Sequence, residues 1–154
     1  MSSDVATVSL QLRWGDMDGN NHVNNVMITR LFEESRVRAS RTLLASDPAG
    51  SDGRELLEGG LVVVRQEVEY LATMPYTEDD VTCSVWLSRV GRTSFDFSAR
   101  LVGVDGTAYA QAETTLVRVD DSGRPSALPD AVVATMTGRT REPLALRSRS
   151  GLRA

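Results

Sequence analysis

The chain has few of the residues from which disulfides and metal sites are built. It contains one cysteine, Cys83, and one histidine, His22. A single cysteine excludes an internal disulfide and fits a reducing compartment. One histidine and one cysteine leave little from which to build a zinc site, so we predict no metal. No G-x-S-x-G sequence is present, which disfavours a serine nucleophile on that kind of turn.

Long apolar runs and an excess of positive charge are also missing. No run of about 18 apolar residues could cross a bilayer, and Met1 to Ala6 lacks the basic and apolar regions of a secretory signal. The net charge of −4 gives no support to nucleic-acid binding. We therefore expect a cytoplasmic protein without a membrane or nucleic-acid partner. Aromatic residues, at 5%, give no sign of a site for an aromatic ring.

Length and composition predict one globular domain followed by a basic tail. The chain has 154 residues, of which 41% are hydrophobic and 25% charged, as in an ordinary single domain. We place the domain at residues 1–135 and the tail at residues 136–154. Proline, serine and glycine in the tail favour flexibility, while contact with a phosphate or an anionic partner is the alternative. The arginines of the tail are Arg139, Arg141, Arg147, Arg149 and Arg153.

The hydrophobic pattern predicts a strand, a long helix and then four strands. Apolar residues alternate with polar ones from Thr7 to Trp14, which predicts a half-buried strand. From Val26 to about Leu44 the apolar residues recur at helical spacing, with Asn24 or Asn25 as the N-cap. The apolar face of this helix consists of Ile28, Leu31, Phe32, Ser35, Ala39 and Leu43.

After the helix, glycine and proline between Ser46 and Gly60 predict a long connection with a short turn at residues 55–57. Alternating segments then predict four strands, and Asp105-Gly106 is a hairpin signal. These strands are predicted at residues 61–71, 81–90, 95–101 and 108–119. The layout is α+β, with an antiparallel sheet of about five strands against one long helix.

The stretch from Arg13 to Asn25 is where we expect the chemistry. Asp16, Asp18 and His22 fall within seven residues at the junction of a strand and a helix. Backbone N–H groups at a helix start lack intrahelical partners, so a negative charge or a polarised carbonyl can bind there.

This stretch resembles the signature of the hotdog-fold thioesterases, the 4-hydroxybenzoyl-CoA thioesterase-like family. The similar segments are the Asp-x-Asp loop, the sequence His-Val-Asn-Asn at residues 22–25, the helix residues 31–37 and the segment 91–95. The resemblance implies a sheet wrapped around one central helix and hydrolysis of an acyl-CoA thioester without a cofactor other than the coenzyme A of the substrate. It also implies a homodimer, or a tetramer formed as a dimer of dimers, whose sheets join edge to edge.

The resemblance assigns roles residue by residue. Asp18, and not Asp16, is the catalytic carboxylate, acting as nucleophile or general base. The backbone N–H of Asn25 is the oxyanion donor, and for His22 the alternatives are assistance by hydrogen bonding within the loop and a purely structural part. Asn24 binds substrate or caps the helix. Arg92 and Ser94, with Arg65 as a weaker candidate, are expected to bind the coenzyme A portion of the substrate.

Two departures from the family pattern bear on substrate and rate. Asn21 stands where glycine is usual, and asparagine adopts a positive φ less freely than glycine. Ile28 stands where an aromatic residue is common, which would change an acyl pocket lined by that position. The presumed carboxylate, Asp18, is retained.

Other functions use the same residues. Asp16, Asp18 and Asn20 mimic the first ligands of a calcium loop, but Asn21 replaces the turn glycine and Met27 the bidentate glutamate of such a loop. The remaining alternatives are an acyl carrier protein thioesterase, a non-catalytic acyl-CoA binding hotdog protein and an interaction module that uses the basic tail.

Overall fold

Five antiparallel strands and two helices form the part of the chain that this computed structural model describes, residues 4–44 and 60–147. The α+β class predicted from the sequence is confirmed. The elements in chain order are β1 (Val5–Leu10), a 3₁₀ turn (Trp14–Asp16), α1 (Asn25–Leu43), β2 (Leu61–Tyr70), β3 (Val81–Val90), β4 (Ser94–Val102), β5 (Ala108–Arg118) and α2 (Asp130–Thr137).

The strands form one sheet in the order β1-β3-β4-β5-β2, with every neighbouring pair antiparallel. Short turns join β3 to β4 and β4 to β5, so these three strands lie side by side in chain order. The predicted hairpin turn at Asp105-Gly106 is confirmed: Gly106 has φ +84° and donates its N–H to the carbonyl of Gly103. β1 and β2 are the two edges of the sheet.

The long helix α1 packs across β1, β3 and β4. Its predicted apolar face is confirmed, because Ile28, Phe32 and Ala39 are all buried. Phe32 packs into the same core as Phe95 and Phe97 of β4, whose rings meet edge to face with centroids 5.5 Å apart. Three buried aromatic side chains contribute much of the apolar burial that holds the helix on the sheet.

Cys83 lies in this core, as its alternating position predicts, and is fully buried on β3. Burial raises the pKa of its thiol from 9.0 to about 11, and a hydrogen bond with Ser35 offsets part of that rise. The folded chain holds this proton more tightly than the unfolded chain does. The contribution to the free energy of unfolding is therefore complete below pH 9 and is lost as the pH rises towards 11.

We expect Cys83 to react with an aromatic disulfide reagent at pH 8 only as fast as the chain unfolds, since the thiolate is the nucleophile and the buried thiol is protonated. The measurement is the absorbance of the released aromatic thiolate, with and without denaturant. Complete labelling of the folded protein within seconds would contradict this placement of Cys83.

The chain after β5 returns across the face of the sheet that is turned away from α1, here called the outer face. The Trp86 indole N–H donates to the carbonyl of Glu142 over 2.9 Å, and the N–H of Leu144 donates to Glu113 Oε1 over 3.1 Å. The N–H of Arg147 donates to Glu69 of β2. Residues 142–147 thus pass over β3, β4, β5 and β2 in turn.

The structure corrects three predictions from the sequence. β1 ends at Leu10, because the chain turns into the 3₁₀ segment, and Trp14 is 72% exposed. In β2 the pairing register shifts between Val63 and Arg65, which interrupts the alternation predicted for residues 61–71. Val62 and Val64 are both exposed at the sheet edge.

The third difference is α2, which the sequence analysis missed. It spans the boundary predicted between residues 135 and 136, and Val132 and Met136 are fully buried. The mobility predicted for the tail stays a prediction. The connection predicted at Ser46 to Gly60 lies, apart from Gly60, outside the described residues.

Candidate active site

The loop between β1 and α1 is closed by backbone hydrogen bonds. Asp18 N–H donates to the His22 carbonyl over 2.9 Å, and Asn21 N–H donates to the Asp18 carbonyl over 3.2 Å. Asn21 has φ +58°. Asparagine is among the side chains that best tolerate the left-handed region, so this chain forms the turn without the glycine that is usual at this position.

The two aspartates of the loop have different surroundings. Asp16 is 6% exposed, its Oδ2 accepts from the Arg13 N–H over 2.7 Å, and its carbonyl accepts from the Asn24 N–H over 2.8 Å. Asp16 therefore ties the end of the loop to the start of the helix. Asp18 is half-buried, and its Oδ1 accepts from the Asn20 N–H over 2.8 Å. Its Oδ2 accepts no hydrogen bond from any residue that the structure describes.

The start of α1 presents a backbone donor next to this loop. Asn24 is the N-cap, and its side chain accepts from the Val26 N–H over 2.9 Å. The N–H of Asn25 is the first in the helix, and within residues 4–44 and 60–147 nothing accepts from it. Such first-turn N–H groups carry the positive end of the helix dipole. An oxygen that gains negative charge can bind here.

Residues from later in the chain surround the loop and were missed by the sequence analysis. The Tyr70 hydroxyl, at the end of β2, donates to the carbonyl of Asn25 over 3.3 Å. Val23 N–H donates to the Met74 carbonyl over 2.7 Å. The rings of Trp14 and Tyr76 meet edge to face with centroids 5.4 Å apart. These contacts join residues more than 40 positions apart, so no local pattern could have revealed them.

Arg92 and Ser94 lie far from Asp18 within one chain. Arg92 lies in the turn between β3 and β4, and Ser94 begins β4, whereas the Asp18 loop follows Leu10, which pairs with Val81 at the other end of β3. At about 3.3 Å per residue the ten residues of β3 separate the two ends by about 30 Å. Arg92 is exposed, and Ser94 Oγ accepts from Arg89 over 3.1 Å.

Arg65 lies on β2 and His22 lies in the loop with Asp18. Arg65 pairs with Glu67 of the same strand, away from the Asp18 loop. His22 is half-buried, and the hydrogen bond found for it is through its carbonyl, which Asp18 N–H contacts. Roles of the His22 ring and of Arg65 stay predictions.

No group of three histidine, cysteine, aspartate or glutamate side chains within residues 4–44 and 60–147 is placed to hold a metal ion. No helix in the same ranges is long and apolar enough to cross a membrane.

Comparison with known families decides the identity of the chain. The sequence model of the thioesterase-like superfamily matches residues 12–136, which include the loop, α1 and all of the sheet except β1. The chain belongs to this superfamily. No curated protein sequence matches it.

Solved structures of thioesterases share the fold of this superfamily member. A predicted thioesterase from Bacillus stearothermophilus is 27% identical, with a TM-score of 0.74 over 90% of this chain and 98% of that one. A thioesterase from Thermus thermophilus, complexed with coenzyme A and zinc, is 29% identical, with a TM-score of 0.70 over 84% of this chain and 95% of that one.

A third structure is similar in fold alone. The 1,4-dihydroxy-2-naphthoyl-CoA thioesterase from Synechocystis is 15% identical, with a TM-score of 0.68 over 86% of this chain and 96% of that one. Together with the sheet and α1, these likenesses confirm the hotdog fold that the resemblance implied.

Proposed function

We propose that this superfamily member is an acyl-CoA thioesterase, which hydrolyses a thioester to a carboxylic acid and free coenzyme A. One observation carries the proposal. Asp18 has a carboxylate oxygen, Oδ2, that takes no hydrogen bond from the described residues, and its loop adjoins the helix start where the Asn25 N–H is unpaired. A nucleophile or base and an oxyanion donor are what hydrolysis of a thioester requires.

Two routes fit this arrangement. In the first, an oxygen of Asp18 attacks the thioester carbon, the C–S bond breaks, coenzyme A leaves as thiolate, and water then cleaves the mixed anhydride. In the second, Asp18 takes a proton from water while the water oxygen attacks the same carbon, and the C–S bond then breaks so that coenzyme A leaves as thiolate. In both, the Asn25 N–H stabilises the carbonyl oxygen as it becomes negative.

Coenzyme A is the proposed carrier of the acyl group because the Thermus thioesterase, 29% identical, was crystallised with coenzyme A. The test is the release of thiol from short, medium, long and aromatic acyl-CoAs, beside the same acyl groups on an acyl carrier protein. Turnover of the coenzyme A esters at a higher kcat/KM supports the proposal. A higher kcat/KM for the carrier esters would make this an acyl carrier protein thioesterase. Binding of the coenzyme A esters without release of thiol would make it a non-catalytic binding protein.

We further propose that two copies join through β2 to form a homodimer. β2 is a sheet edge, and Val62, Val63 and Val64 on it are 41%, 44% and 57% exposed. A long apolar edge strand pairs readily with another chain. Antiparallel pairing of two β2 strands would place the Tyr70 end of one copy beside the Leu61 end of the other.

This pairing would complete the active site. The Leu61 end of β2 adjoins Arg118 of β5, and the next strand begins at Ser94, close to Arg92. The Tyr70 end contacts Asn25 of its own helix start. Arg92 of the partner subunit would then lie near the Asp18 loop, although about 30 Å separates the two within one chain.

Mixed dimers of an Asp18→Asn chain and an Arg92→Ala chain test this arrangement. If Arg92 acts across the interface, one of the two sites in a mixed dimer contains both Asp18 and Arg92. We expect about half of the wild-type rate per dimer, while each variant homodimer is impaired. A mixed dimer no faster at low substrate than the Arg92→Ala homodimer would place Arg92 outside the partner's site.

A further inference from the structure

Two buried hydrogen-bond donors lack an acceptor within residues 4–44 and 60–147. Arg36 of α1 is 8% exposed, and its Nη1 has no hydrogen-bond partner among the described residues. The same holds for the buried Nε2 of Gln66 on β2. Buried polar atoms are paired in the large majority of cases, and a buried unpaired donor destabilises the fold. Two such donors indicate a place for a group that is not part of this chain.

Each donor shares a face of its own element with one member of a contact between α1 and β2. Thr29 and Arg36 are seven residues, or about two turns, apart and so share one side of the helix. Thr29 Oγ1 lies 3.5 Å from the hydroxyl of Tyr70 on β2. Gln66 is four residues before Tyr70 and so points to the same face of the strand. The space between α1 and β2 is called here the α1–β2 groove.

Arg36 and Gln66 lie at similar distances, each along its own element, from the contact between Thr29 and Tyr70. The start of α1 meets the end of β2 at the contact of Asn25 with Tyr70. From that contact the helix runs about 10 Å from Thr29 to Arg36, and the strand runs back about 13 Å from Tyr70 to Gln66. α1 packs across β1, β3 and β4, and hydrogen-bond contacts join it to β2 near the helix start, at Asn25 and Thr29.

The chemistry of the donors selects their partner. The guanidinium group of arginine and the NH₂ group of a glutamine amide can only donate hydrogen bonds, and arginine also carries a positive charge. Burial lowers the pKa of Arg36 below its ordinary value despite the favourable charge of Glu33, so its charge is not fully balanced. A carboxylate supplies two acceptor oxygens and the opposite charge, and it matches the fork of a guanidinium group.

The distance to the candidate active site sets the length of the ligand. Arg36 follows Asn25 by eleven residues, about 16 Å along the helix. A helical side chain points back over the preceding turn, about 5 Å towards the N-terminus. An extended chain advances about 1.25 Å per C–C bond, so an acyl chain of about eight carbons spans about 9 Å. With a hydrogen bond of about 2.9 Å at its end, it matches the remaining gap of about 11 Å.

We propose that the α1–β2 groove binds the acyl chain of ω-carboxyacyl-CoA esters of about eight carbons, and that Arg36 and Gln66 hold the distal carboxylate. The proposal rests on the thioesterase function proposed above. The methylene chain passes Val68, which packs against the core. Substrates that end in a methyl group leave both donors unpaired, and sites built for a polar group reject such analogues strongly.

The test compares suberyl-CoA with octanoyl-CoA, which have the same number of acyl carbons and differ at the far end. We expect the wild type to have a kcat/KM at least tenfold higher for suberyl-CoA. Arg36→Met should lower kcat/KM for suberyl-CoA by tenfold or more and leave that for octanoyl-CoA unchanged or higher. Arg38→Met is the matched control, because Arg38 is exposed and contacts the Ser9 carbonyl on another side of α1. It should change neither value.

Other results would overturn the proposal. If the wild type has equal kcat/KM for the ω-carboxyacyl ester and the methyl-ended ester at six, eight and ten carbons, a carboxylate site is excluded. Equal losses on both esters in Arg36→Met would show a structural role, as for a residue paired with the partner subunit. If Arg36→Met does not fold, Gln66→Leu decides: a selective loss on suberyl-CoA supports the site, and an equal loss on both esters overturns it.

Failure of the thioesterase proposal would be separate and visible. If the wild type releases thiol from neither ester, calorimetric binding of both esters still tests the groove. Tighter binding of suberyl-CoA that Arg36→Met abolishes would support the carboxylate site. Equal binding of the two esters would overturn it.

Discussion

Replacing Asp18 with asparagine is expected to lower kcat for acyl-CoA hydrolysis by about a hundredfold or more. Asparagine keeps the shape of the side chain and can still accept from the Asn20 N–H through Oδ1. It cannot take a proton from water, and it is a poor nucleophile. The loss should therefore fall on kcat, with little change in the thermal unfolding midpoint.

Asp16→Asn is the matched control within the same loop. Asp16 is buried and accepts from the Arg13 N–H, and an asparagine oxygen can accept from the same donor. We expect kcat within about tenfold of the wild type, since loss of a charge-assisted hydrogen bond acts mainly on stability. A large loss in kcat for Asp16→Asn with an active Asp18→Asn protein would reverse the assignment of the two carboxylates.

Val64→Arg is expected to separate the proposed dimer and remove activity together. Val64 is 57% exposed in the single chain, so an arginine there should cost the isolated subunit little. In a dimer joined through β2, the new charge would be buried near its own copy in the partner subunit. An unpaired buried charge costs several kcal/mol, which corresponds to a rise of about a hundredfold or more in the dimer dissociation constant.

Sedimentation velocity and thiol release should be measured on the same Val64→Arg sample. Val104→Arg is the control, because Val104 is 66% exposed in the turn between β4 and β5 and lies away from the β2 edge. A dimeric and fully active Val64→Arg protein would exclude β2 as the interface. Monomeric protein with full activity would instead show that one chain contains a complete site.

The sequence by itself determined the elements whose causes are local. The helical spacing of Ile28, Phe32 and Ala39 predicted α1, and Asn24 proved to be the N-cap. Alternation predicted β3, β4 and β5, and Asp105-Gly106 predicted the hairpin turn that joins β4 to β5. The Asp-x-Asp loop and His-Val-Asn-Asn pointed to a family that the match over residues 12–136 then showed. Each of these signals depends on neighbours within a few residues.

The tertiary structure decided what depends on residues far apart in the chain. Pairing made β2 an edge strand with a register shift, and Val62, Val63 and Val64 are exposed there. Asp16 and Asp18 look alike in the sequence, and only folding buried Asp16 beneath the Arg13 N–H.

The contact of Tyr70 with Asn25 and the passage of residues 142–147 over the outer face likewise come from folding. A local sequence pattern predicts on which face of its own helix or strand a residue lies. Burial and hydrogen bonding depend on what packs against that element, and tertiary contacts override local preference for this reason.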